Sequence, residues 1–120
     1  MKKVNIVRKK YEFDKIIHNN FFVKNDYYII YYYDNSLNNY RFGISVGKKL
    51  GNSVFRNKYK RKIRSIVDNN KKNYQNDLDY IIIMRKGCID KKFSEQEDKF
   101  IELINKIKIR RERWKKQKEK

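Results

Sequence analysis

Proline and alanine are absent from the 120 residues, glycine occurs four times, and cysteine and histidine occur once each, as Cys88 and His18. Without proline, and with so little glycine, no linker divides the chain, and no long period repeats, so residues 1–120 read as one domain. A single cysteine excludes a disulfide framework; one cysteine with one histidine excludes Cys/His zinc sites and leaves no Cys/His pair at a recognisable spacing. A reducing, cytoplasmic setting fits. Long apolar runs are also lacking. The stretch 4–7 runs straight into Arg8, Lys9 and Lys10, and the longest aromatic and aliphatic run is 27–33, too short for a signal peptide or a membrane span. Acidic residues are scarce as well, at 14 against 32 Lys and Arg, for a formal net charge of +18. Such a charge repels itself unless an anionic partner compensates it, and nucleic acid is the leading candidate.

Lys (23), Asn (14), Ile (16) and Tyr (10) dominate the composition, which is the look of AT-rich coding. That bias favours Lys over Arg but does not deplete Asp or Glu, so the basic excess survives the discount. Hydrophobic residues reach only 39%, yet aromatics alone make 15%, enough for a small core because each ring buries a large area.

Phe13, Ile16 and Ile17 share one face of a short helix expected over 10–18, with His18 as a solvated helix-end residue. The run 27–33 suits a strand, and Asp34, Asn35 and Ser36 supply turn formers for a hairpin-like loop. From Tyr40 to Val46 apolar residues alternate with small or polar ones, the clearest strand in the chain. A helix capped by Asn52 or Ser53 is expected to run toward Asn69 and Asn70. The residues 79–84 suggest a strand covered on both faces. Ser94 with Glu97 reads as a capping box opening a terminal helix through Phe100, Leu103, Ile104 and Ile107, and 111–120 as a basic tail that frays into solvent. The order α-β-β-α-β-α on a small sheet is an α+β fold.

The densest information lies in 48–64. On a helical projection Phe55, Tyr59, Ile63, Ile66 and Val67 fall within about 120° of arc, while Asn57, Lys60, Arg61 and Arg64 occupy a separate arc of about 100°. Arg at 56, 61 and 64 is informative in a Lys-heavy chain, because the planar guanidinium binds phosphate bidentately and stacks on bases. The competing reading is a solvated basic face.

This segment resembles the arginine-rich signature of the bacterial ribonuclease P protein component: a strand, Lys48-Lys49, then Gly51-Asn52 leading into the basic helix that begins Arg56-Asn57. The flanks agree in order, with Lys9-Lys10 before Phe13, the aromatic strand 28–33, and the strand 79–85 ending in Arg85. The resemblance implies a mixed sheet of about four strands with helices packed on it and a left-handed crossover through the basic helix; the residues themselves mark three strands, and the fourth is a short piece near Phe22 and Val23 or elsewhere. It also implies a function, as a subunit that binds a catalytic RNA and the 5′ leader of precursor tRNA while that RNA, with Mg²⁺ held mainly by it, performs the hydrolysis. By position, Lys48, Lys49, Arg56, Asn57, Lys60, Arg61 and Arg64 would contact the catalytic RNA. Phe13, Ile17 and Tyr31 would line a cleft for the leader; an aromatic is common in the family at position 17.

Other constellations point elsewhere or nowhere. Asp77 and Asp79 could face one way and bind Mg²⁺, but acidic residues before a strand usually form turns. Glu95, Glu97, Asp98 and Glu102 suit the positive end of a helix dipole. Gly43, Gly47 and Gly51 lack phosphate-loop spacing. No side chain set suggests a protein nuclease, so no catalytic or metal-binding residue is expected, the free protein is read as a monomer, and the rival function is a ribosomal or general RNA-binding protein.

Overall fold

Strict alternation along Tyr28–Asp34 buries Tyr28, Ile30 and Tyr32 on one side and half-buries Ile29, Tyr31 and Tyr33 on the other, which makes this segment a strand with two covered faces. In the computed structural model, which describes residues 2–118, it is β2 of a four-stranded sheet. The remaining strands are β1 (Phe22–Lys24), β3 (Arg41–Ser45) and β4 (Leu78–Met84), and the helices are α1 (Lys10–His18), α2 (Ser53–Asn69) and α3 (Phe93–Lys118).

The strand order is β1-β2-β4-β3. β2 runs antiparallel to β1 and β4, and β3 runs parallel to β4. The hairpin expected after β2 is therefore replaced by a longer path: β4 inserts between β2 and β3, and α2 serves as the crossover that a parallel β3–β4 pair requires. The true hairpin is β1–β2, where Asn25 Oδ1 accepts from the Tyr27 and Tyr28 N–H groups at 2.9 and 3.0 Å. β4 is buried along nearly its whole length, as its continuous apolar run suggests.

Each sheet face carries its own core. On one, Tyr28, Ile30, Phe42, Tyr80 and Ile82 pack with Ile63 and Ile66 of α2 and Phe100, Leu103 and Ile104 of α3. On the other, a smaller cluster joins Val7, Ile16 and Ile81 with the half-buried Phe13, Ile17, Tyr31, Tyr33 and Ile83.

Two expectations at α3 are corrected. The helix starts at Phe93, with Gln96 N–H donating 3.0 Å to the Lys92 carbonyl, so Ser94 lies inside the first turn and is not the cap. Glu97 instead accepts at 3.3 Å from the side-chain amides of Asn69 and Asn70. The basic tail does not fray at 111. It stays helical to Lys118, because the Arg111 guanidinium pairs with both Asp34 and Asp77 and reaches Gln75 Oε1 at 3.1 Å. The last two positions of the expected tail, 119 and 120, lie outside the described residues.

Candidate nucleic-acid interface

The basic helix is set by its first turn. A Cβ at Gly51 would stand 2.5 Å from Phe55 Cδ1, so only glycine leaves room for the Phe55 ring to fold back over the turn. Asn52 Oδ1 accepts from Phe55 N–H at 3.0 Å, the N-cap that the sequence offers. From there Tyr59, Ile63, Ile66 and Val67 are buried against the sheet and α3. The Tyr59 hydroxyl accepts from Asp90 N–H at 3.0 Å and its ring lies under Lys62 Nζ at 4.9 Å, so this tyrosine belongs to the core.

Burying that face turns Asn57, Arg61 and Arg64 outward, with Lys60 half-buried beside them. Lys48 and Lys49 are exposed in a short 3-10 turn (Lys48–Leu50) just before α2, which brings them to the helix's N-terminal end. Arg56 is half-buried; its Nη2 donates to Ser53 Oγ at 3.3 Å while its Nε is covered and makes no hydrogen bond. Among the described residues no carboxylate pairs with Lys48, Lys49, Arg56, Lys60, Arg61 or Arg64. A dense, uncompensated cationic strip on a rigid helix can take phosphates without first breaking internal ion pairs.

Phe13, Ile17 and Tyr31 meet on the opposite sheet face, all half-buried in the smaller cluster. The Phe13 ring lies directly on β3 at Gly43, where a Cβ would stand 2.5 Å from Phe13 Cζ and 2.8 Å from Ile81 Cδ1. Gly43 thus seats the ring. Tyr31 faces Phe22 across the hairpin with ring centroids 5.4 Å apart. Phe22 and Tyr33 complete this aromatic surface, though sequence reasoning did not single them out. The period-2 pattern of β2 was the available signal for Tyr33, two residues beyond Tyr31 on the same face.

Asp77, just before β4, and Asp79, the second residue of β4, are both occupied. Asp79, 4% exposed, accepts from Arg41 Nε at 2.8 Å and Nη2 at 2.6 Å, and from Asn35 Nδ2 at 2.7 Å; Arg41 Nη1 also donates to Glu12 at 2.8 Å. Asp77 instead pairs with Arg111, so the two carboxylates neither converge nor form the turn caps expected of them. Among the described residues no three His, Cys, Asp or Glu side chains gather in a way that suits a metal ion. Cys88 is buried, which pushes its thiol pKa up and leaves it unsuited to nucleophilic work.

No helix among the described residues is long and apolar enough to cross a membrane. The sequence profile described as Ribonuclease P matches residues 1–108. A curated relative from Mycoplasma capricolum subsp. capricolum, a ribonuclease P protein component, is 40% identical over 109 residues, covering 90% of this chain and all of the relative. One from Streptococcus pneumoniae with the same description is 37% identical, covering 93% of this chain and 91% of the relative. Among solved structures, the Staphylococcus aureus RNase P protein superposes with a TM-score of 0.80 at 31% identity, covering 88% of this chain and 97% of the other. The Thermotoga maritima RNase P protein gives 0.78 at 27% identity, covering 83% and 94%.

Proposed function

Since the chain belongs to the family of bacterial ribonuclease P protein components, we propose that it holds RNA on two surfaces while the chemistry is done by an RNA partner. The cationic strip of α2, with Lys48 and Lys49 at its head, binds the catalytic RNA. The half-buried surface of Phe13, Ile17 and Tyr31 receives the single-stranded 5′ leader of precursor tRNA, where a ring under each base contributes roughly 1 to 3 kcal/mol. Ile17 offers apolar contact in place of stacking. Mg²⁺ belongs mainly to the RNA in this reading, and the free protein is a cytoplasmic monomer.

The observation that carries the proposal is the α2 strip itself: a helix whose buried face fixes it to the core and whose outward Arg and Lys pair with no carboxylate among the described residues. Recovering the protein from its cell and sequencing the bound RNA tests it. One abundant structured RNA that cleaves precursor tRNA is the expected result. Enrichment of ribosomal RNA alone would transfer the strip to the rival, a ribosomal or general RNA-binding role.

A further inference from the structure

We propose that the last turns of α3 and the segment entering β1 form a second base-binding slot, for one unpaired nucleotide of RNA, away from the α2 strip and at the edge of the aromatic surface, with which it shares Tyr33. The family profile matches residues 1–108, so Phe21, Tyr32, Tyr33 and Asp34 of the slot lie within it, and Arg110, Arg111 and Trp114 lie beyond it. Beyond the buried Ile107, Arg111 and Trp114 continue the same helix face at intervals of four and three residues. Arg111 is spent on Asp34 and Asp77, which clamps α3 against the end of β2. That clamp holds Trp114 over a cavity of about 400 Å³ whose other walls include Phe21, Tyr32, Tyr33 and Asp34, a volume in the usual range for a small-molecule site.

Phe21 and Trp114, the outer walls, are each 54% exposed, and Phe21 leans on Tyr32 at 6.1 Å between centroids. Arg110 sits at the rim. One of its N–H groups donates to the Phe22 carbonyl at 2.8 Å, which fixes the guanidinium in place while its other donors remain for a ligand. Residues 106–118 carry eight Lys or Arg against Glu112 alone. Two aromatic walls within a cationic rim match a planar base joined to a phosphate. An apolar peptide would use the walls and leave the rim unpaired.

Trp114 is the only tryptophan, so its emission reports on this slot alone. The inference rests on the chain being an RNA-binding protein, and the titration separates the two ideas. A six-nucleotide oligoadenylate should quench Trp114 saturably, and an abasic hexamer with the same phosphates should not. Phe21→Leu and Arg110→Gln, with unchanged melting temperatures, should each weaken the titration several-fold, and Trp114→Leu should lower oligoadenylate affinity by a similar factor in anisotropy. Catalytic RNA and precursor tRNA, titrated separately, assign the source by which one quenches. Equal quenching by abasic hexamer or polyglutamate overturns the base slot. So does silence of Trp114 while anisotropy shows RNA bound, a result that leaves the α2 strip and its function standing.

Discussion

Asp79 is the residue whose role depends most on its surroundings. Held between Arg41 and Asn35 and almost fully buried, its carboxylate fixes the start of β4 and, through the Arg41–Glu12 pair, the position of α1 beside the proposed leader surface. Breaking a buried pair by removing one partner costs about 3 kcal/mol, because the other charge stays behind. Asp79→Asn should therefore lower unfolding free energy by about that amount in urea melts, while single-turnover cleavage by the assembled enzyme at saturating protein stays within a few fold of wild type. Abolished cleavage in a folded Asp79→Asn variant would return this carboxylate to the chemistry. The core tyrosines make a second residue-scale case. Burial pushes Tyr80 up to about 12, offset in part by the Gln75 N–H donated to its hydroxyl at 3.1 Å, and burial raises Tyr28 and Tyr74 as well. Unfolded tyrosine titrates near 10, so between about pH 10 and 12 the unfolded chain has released protons that the folded one retains. Tyrosine's share of stability is complete below about pH 10 and falls as pH rises through this window. Denaturant melts across it should show a shallower decline for Tyr80→Phe than for wild type.

At the scale of elements, α2 divides its residues between a buried face and the cationic face proposed to hold RNA, and the division is testable by salt. Arg61→Ala and Arg64→Ala should each reduce the slope of log affinity against log salt for the catalytic RNA by about one unit per lost phosphate contact, and Lys91→Ala, at an exposed lysine outside every proposed surface, should leave that slope nearly unchanged. Equal losses from helix and control would reduce the strip to bulk charge. This helix was legible in the sequence because its apolar and cationic arcs are local patterns, as was β3 with its alternation and β4 with its unbroken apolar run. Three things were not legible from the residues alone. β1 is three residues long and carries too little periodicity to stand out. The insertion of β4 between β2 and β3 follows from which strand pairs with which, a choice that period-2 patterning does not encode. The helical order of 111–118 rests on Arg111 meeting Asp34, 77 residues earlier, a contact that no local window contains. In the site, the grouping of Phe13 with Tyr31 came from the resemblance; its physical reason, a glycine at position 43 that seats the ring, emerges only when β3 and α1 are placed together.

Across the whole molecule, the sheet separates two jobs. The larger core on one face supports the cationic helix, and the smaller cluster on the other supports a half-buried aromatic surface. A net charge of +18 draws any RNA to the protein, so affinity alone does not distinguish the two surfaces. Their separation appears in a ratio: the affinity of the assembled enzyme for precursor tRNA over that for mature tRNA, measured at saturating protein for wild type, Tyr31→Ala and Arg61→Ala, with melting temperatures taken alongside. The expected result is that Tyr31→Ala lowers the ratio by roughly tenfold through loss of one stacked base, whereas Arg61→Ala leaves it unchanged once assembly is complete. Equal ratios for all three folded proteins would contradict the account.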